Sequence, residues 1–377
     1  MTGRARRLET AGSELLFTPF SSSGGTDALD RRVSMMLNRI GFFDGLGKGD
    51  RVAVKVHPGE LHNITYLRPS VARSIVEQLK KRGAVPFVTE TTTLYCRERF
   101  TPDELTRTAA HNGFSPETLD CPFVVADAGP DVVVKVRGRH LEEVGVAREI
   151  AHADALLVVS HVTGHCWTAG LAGALKQLSM GCTGRRTKAE IHLSTTIAVN
   201  AGVCDACGKC ARVCKTEAVE VIGEEAVMTS RCVRCGACID SCPTGAITYS
   251  HDFGWFARAC AEAAGGVLSG FDGGSAVFLN FLTDVTWHCD CEPFSDTPVV
   301  SDIGVVCSRD PVAADQASAD LINASPPVAG SRADTPEVQA AEDRLLALTG
   351  IEWWRQLDEA ESLGLGSRHY EMLKVRK

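Results

Sequence analysis

Two short runs of cysteine constrain this chain more than any other feature. Cys204, Cys207, Cys210 and Cys214 follow the spacing C-x2-C-x2-C-x3-C. Cys232, Cys235, Cys238 and Cys242 repeat it, with Pro243 behind. The C-x2-C step puts successive thiolates on adjacent corners of an iron–sulfur cubane, and the fourth cysteine of each run ligates the other cluster. The spacing therefore predicts two 4Fe–4S clusters. One is assigned to Cys204, Cys207, Cys210 and Cys242, the other to Cys232, Cys235, Cys238 and Cys214. Gly208 and Gly236 relieve backbone crowding inside the two loops, leaving N–H groups free to tune the cluster potentials. Zinc is the competing reading of C-x2-C pairs. One zinc needs four ligands, and two duplicated four-cysteine runs in this register fit cubanes better. Lys215 stands where a proline usually follows the fourth cysteine.

This is the pattern of bacterial two-cluster ferredoxins, and it accounts for eight of the sixteen cysteines. Clustered thiols in a long chain point to metal binding in a reducing compartment rather than to disulfides. The basic N-terminus holds Arg6 and Arg7, but the apolar stretch an export signal needs is interrupted by Glu9, Ser13 and Glu14. No apolar run reaches the roughly 18–20 residues of a membrane span. The expectation is a cytoplasmic protein with no membrane partner. A net charge of −8 without a basic run argues against nucleic acid as a partner.

The 377 residues allow two or three domains. Residues 51–56 (R-V-A-V-K-V) predict a strand, 69–82 a helix stopped by Gly83, and 85–89 a second strand. That order is a βαβ unit and implies a parallel sheet. Further strands are expected at 123–126, 132–136, 141–144, 155–160, 276–282 and 303–306. Asp310–Pro311 and Thr335–Pro336 each open a helix, the second running to Gly350. Residues 325–333 resemble a linker. The expected architecture is α/β: a parallel-sheet domain (1–198 and 251–325) interrupted by a two-cluster module (199–250) and followed by a helical tail (326–377).

Outside the cysteine runs the chain resembles the ferredoxin-containing form of the family catalogued as domain of unknown function 362. The segments that carry the resemblance are F-T-P (17–19), V-A-V-K-V-H-P-G-E (52–60), Y-L-R-P (66–69), P-F-V-T-E-T-T-T-L-Y (86–95), S-H-V-T-G-H (160–165), A-L-K-Q-L-S-M-G-C (174–182), H-C-D-C (288–291) and S-R-D-P-V-A-A-D-Q-A-S (308–318). Gln177 departs from the family's usual Asn. Residues 170–176 (G-L-A-G-A-L-K), with Met180, Gly181 and His192, are distantly similar to the cofactor-attaching segment of nickel-pincer lactate racemases, and Tyr66–Pro69 to their T-R-P segment. That similarity implies a related cleft.

His57 and His161 each follow an expected strand, where open parallel sheets bind ligands. His165 lies four residues on, and Lys176 follows a small-residue loop. These four are the candidate catalytic residues, as proton donors or anion binders. Each also has a plain reading, as a loop histidine or a solvated lysine. Lys188 and His192 are weaker candidates. In His288-Cys289-Asp290-Cys291 the two thiols share one face of an extended chain. They can hold a further metal, form a redox pair, face the substrate cleft or brace a strand end. Cys96, Cys121 and Cys260 read as small buried residues.

The leading expectation is an iron–sulfur oxidoreductase. Its clusters deliver electrons from a donor or acceptor protein to a small-molecule substrate, or to an unidentified second cofactor, in the α/β cleft. A non-catalytic electron-transfer subunit and a non-redox isomerase with structural clusters are the alternatives. No G-x-G-x-x-G after a strand and no phosphate-binding P-loop support a nucleotide site.

Overall fold

The computed structural model describes residues 13–20, 29–271 and 274–375. Arg6 and Arg7 lie outside them. Among the described residues no helix is long and apolar enough to cross a membrane.

Runs such as A-L-L-V-V-S-H and A-V-F-L-N-F-L lack polar alternation, so their strands must be covered on both faces. In chain order the strands of the main sheet begin with β1 (Ser13–Pro19), β2 (Arg51–Lys55), β3 (Val85–Glu90) and β4 (Phe123–Val125). An outlying hairpin follows, β5 (Val132–Lys135) and β6 (Glu143–Val146). Next come β7 (Ala155–His161), buried at every position, and a short pair, β8 (Thr163–His165) and β9 (Gly170–Ala172). The cysteine-rich segment contributes β10 (Thr195–Val199), β11 (Val219–Ile222), β12 (Glu225–Met228) and β13 (Ile247–His251). The main sheet resumes with β14 (Ala276–Leu282), β15 (Gly304–Ser308) and β16 (Tyr370–Lys374).

Eight strands make one sheet in the order β16-β1-β15-β14-β7-β2-β3-β4. From β14 to β4 every pairing is parallel, whereas β15 runs antiparallel to both its neighbours. The expected mixed α/β architecture with a mostly parallel sheet is therefore present. Alternate residues of β7 feed opposite faces. Leu156 and Val158 join one core, Leu157 and Val159 the other, as a period of two requires. The helix Pro69–Lys81 connects β2 to β3, and Gly83 beyond it has a left-handed φ of 82°.

The chain leaves this sheet after β7 and returns to it at β14. Between them β10 pairs with β13 and β11 with β12, both antiparallel. The two cysteine runs repeat one backbone pattern. Ala206 and Gly208 have left-handed φ values, as do Arg234 and Gly236, and short helices Lys209–Val213 and Ala237–Asp240 follow. Cys210, Cys238, Val219, Ala226 and Ile247 form a small core of their own.

Three expectations need correction. The helix expected from Pro336 to Gly350 is two helices, Pro336–Gln339 and Arg344–Thr349, because Asp343 caps a new start by accepting from Leu346 N at 2.9 Å. Residues 370–374, expected in a helical tail, form β16, which pairs parallel with β1. The stretch 325–333 is packed rather than free: Pro327 bridges Val300, and Ala333 is fully buried.

Candidate functional site at the carboxyl edge of the sheet

Parallel strands bring their carboxyl ends to one edge, and there the chain gathers its polar residues. Lys55 ends β2, Glu90 ends β3 and His161 ends β7. A lysine inside R-V-A-V-K-V is buried with the strand, so it must find a counter-charge. Lys55 Nζ lies 2.8 Å from Glu90 Oε1 and donates to Gln177 Oε1 at 2.5 Å, with both ions out of solvent. Burial pushes the Glu90 carboxyl up, but Lys55 beside it, with His57 and Arg99, brings it below the ordinary range. Gln177, the departure from the family pattern, is thus the amide that completes this pair.

Lys176 rides on the short helix Ala174–Ser179. That helix has no local cap. Asp315, from the distant helix Pro311–Ala324, accepts from Ala174 N at 2.7 Å and Leu175 N at 3.0 Å. A side chain at the preceding residue, Gly173, would put its Cβ 2.2 Å from Asp315, so only glycine permits this cap. Gly164 is required for a similar reason. Its Cβ would sit 2.2 Å from the Trp287 carbonyl oxygen, and Gly164 N donates to Thr286 O at 2.8 Å, tying β8 to the 288–291 turn.

The turn carries the densest chemistry. Lys176 Nζ lies 3.0 Å from Cys289 Sγ. Cys291 N also donates to that sulfur, at 3.4 Å. Hydrogen bonding from Cys291 holds the Cys289 thiol well below its ordinary value despite burial, with Lys176 and His57 adding to the effect. Cys291 is correspondingly pushed well above it. Burial alone would lower Lys176, yet the two sulfurs raise it, so it stays an ammonium. His165 Nδ1 accepts from Thr168 N and Ala169 N, both at 3.2 Å, and burial with the Lys176 charge lowers its pKa to about 3. His165, Cys289 and Cys291 bring one ligand atom each within 4.8 Å of one another, a spacing that can hold a metal ion.

His161 is committed elsewhere. Its Nδ1 is 2.7 Å from Asp290 Oδ2 and its Nε2 is 2.5 Å from the Thr283 carbonyl. Two acceptors call for two N–H groups. Burial opposes the charged ring, but the Asp290 carboxylate outweighs it and raises the pKa. The ion pair pins the residue between the two cysteines. His192 lines the same cavity, lowered to about 4 by burial and by neighbouring cations. Lys188 Nζ donates to Thr91 Oγ1 at 2.7 Å and to Thr92 O at 2.5 Å.

These groups surround a cavity of about 480 Å³. Its opposite wall comes from the second cysteine run, through Arg234, Cys235, Gly236, Ala237 and Ile239. Cys96, expected to be an ordinary buried residue, is half-buried with its sulfur 3.9 Å from Cys235 Sγ. That contact brings its pKa down to about 7. Cys121 and Cys260 are buried, as expected of small core residues.

Cys204, Cys207, Cys210 and Cys242 line one small cavity of their own. Cys238 is buried, and nearby Cys235 and Cys232 add to the rise that burial causes in its pKa. Lys215, in the position usual for proline, reaches Glu104 Oε1 at 2.8 Å and the Arg97 carbonyl at 3.2 Å. It anchors this segment to the loop leading from β3.

The family described as domain of unknown function (DUF362) matches residues 52–320. The chain belongs to this family. No curated protein matches the chain. Among solved structures, the lactate racemase apoprotein from Thermoanaerobacterium thermosaccharolyticum is similar at 12% identity and a TM-score of 0.33, covering 72% of this chain and 51% of its own. The chain therefore spans about half the length of that structure. The DUF362 match runs from β2 into the helix that bears Asp315, so it takes in the cavity walls and both cysteine runs.

Proposed function

We propose that this DUF362 chain is an iron–sulfur oxidoreductase. Two 4Fe–4S clusters, held by Cys204, Cys207, Cys210 and Cys242 and by Cys232, Cys235, Cys238 and Cys214, would supply one-electron transfer to a substrate or further cofactor in the cavity. One observation supports this reading above the others: Cys235 lines the same cavity as His57, His165, Lys176 and Cys289. An all-thiol donor set suits such clusters, and the small cavity lined by Cys204, Cys207, Cys210 and Cys242 matches one crossed set of ligands.

The remaining roles belong to this chain's own side chains. Lys176 keeps its proton against two sulfurs, so it can bind an anionic group or pass a proton to one. His165 stays neutral, its Nδ1 already used by backbone donors, and orients rather than charges the wall. Trp167 Nε1 and Arg97 both hold Glu292, at 2.9 and 2.8 Å, which fixes the rim beside the 288–291 turn. Cys207 is exposed, on the side where an electron donor or acceptor protein would dock.

Iron and sulfide analysis of the anaerobically reconstituted chain, with EPR after reduction, tests the reading. It expects about eight irons and eight sulfides per chain and reduced-cluster signals. Stoichiometric zinc with no reducible signal would overturn it.

A further inference from the structure

The Cys289–Asp290–Cys291 turn has chemistry of its own. We infer that Cys289 and Cys291 form a redox-active dithiol/disulfide pair, the two-electron station at which electrons arriving singly are collected in the cavity. The inference rests on the iron–sulfur reading above for the source of those electrons.

Four observations carry it. Both cysteines line the cavity that Cys235 also lines, so the pair and the second cysteine run face one space. The two sulfurs lie within 4.8 Å of one another across a single intervening residue. Their surroundings favour the thiolate at Cys289 and the thiol at Cys291, an inequality that suits thiol–disulfide chemistry. The Cys289 sulfur has dedicated donors in Lys176 Nζ and Cys291 N. The residue between them is locked by His161, which keeps both thiols on one side of the turn.

Geometry also favours a dithiol over a metal site here. His165 Nδ1 accepts two backbone N–H groups, which places the hydrogen of the neutral ring on Nε2. His57 Nδ1 likewise accepts from Gly59 N at 3.0 Å, which leaves Nε2 as the N–H side of that ring. Ligating histidines do the reverse, donating from the nitrogen that is not on the metal. The cavity thus meets these sulfurs with N–H groups rather than lone pairs.

Reduction would break the Cys289–Cys291 S–S bond with two electrons, which iron–sulfur clusters held by the Cys204–Cys242 segment would supply one at a time. Cys291 takes one proton from solvent, and Cys289 remains a thiolate against the Lys176 ammonium. Oxidation would give up two electrons to one-electron carriers of the same class, release that proton and re-form the bond. A disulfide between residues two apart closes a small ring, and strained disulfides have the higher, more labile potentials.

The test uses the full cluster-loaded chain, poised anaerobically across a range of potentials. Each sample is quenched in denaturant with an alkylating agent, and the peptide carrying 288–291 is weighed. The expected result is a peptide with neither cysteine alkylated and about two mass units lighter at oxidising poise, and with both alkylated at reducing poise. Reductive titration should take up about four electrons per chain, falling to about two in Cys291→Ser. Alkylation of both thiols at every poise would overturn the inference. So would stoichiometric zinc that Cys289→Ser releases. A chain without iron whose pair still cycles with a small-thiol buffer would leave the pair standing and remove the proposed electron source.

Discussion

The cysteine-rich segment and the sheet-edge cavity face each other, yet they are built on opposite principles. The segment keeps its chemistry local: eight thiols lie between Cys204 and Cys242, several of them solvent-accessible, on two copies of one turn-and-helix pattern. The cavity keeps its chemistry buried and scattered. Glu90, Lys176, Lys188 and Cys289 line it from four separate stretches, with Lys55 paired to Glu90. A local site tolerates exposure, because spacing alone fixes its geometry. A scattered one needs burial and paired charges to hold position.

Substitution should separate the two regions cleanly. The largest effect is expected from Cys207→Ser or Cys235→Ser, each reducing iron from about eight to about four per chain, measured by iron analysis after reconstitution. Unchanged iron would break the assignment. Glu90→Gln strands the buried Lys55 ammonium and should cost about 3–5 kcal/mol in denaturant unfolding, with cluster iron retained in the folded fraction. Lys176→Met leaves Cys289 without its cationic partner. Thiolate-specific labelling of Cys289 in the native chain at about pH 7 should slow roughly tenfold, and an unchanged rate would show that Lys176 does not set the state of that sulfur.

A pH effect sharpens the contrast further. The folded-state pKa of His161 is raised by Asp290. Its contribution to stability is therefore fully present below the unfolded value of about 6.5 and is lost as pH rises through the higher folded value. Unfolding midpoints measured across that window should fall more steeply for the native chain than for Asp290→Asn. Parallel curves would remove the ion pair from the account. The smallest effect belongs to Lys215→Ala. Its bond to Glu104 is partly solvated and should be worth no more than about 1 kcal/mol.

The same contrast explains what the sequence reveals. The strands β2, β3, β7 and β14 are legible because buried parallel strands are nearly continuous apolar runs. The cysteine runs are legible because their ligand spacing is local. His57, His165, Lys176, Cys289 and Cys291 could be singled out one by one, but that they meet follows from strand order, which a single sequence does not display. The Lys55–Glu90–Gln177 group was missed, although a lysine within an apolar strand is a usable signal of a buried pair. Cys96 gave no signal, since its neighbour Cys235 lies 139 positions away. β16 was missed because Y-E-M-L-K is a half-exposed edge strand whose alternation is too weak to distinguish from helix.

The most direct measurement is iron-edge anomalous diffraction from anaerobically grown crystals of the full chain. The account predicts two separate iron peaks, each of about four irons. One should be enclosed by Cys204, Cys207, Cys210 and Cys242, and the other should sit against Cys235 at the cavity wall. A single peak, zinc in place of iron, or a second peak lying away from the cavity would contradict it.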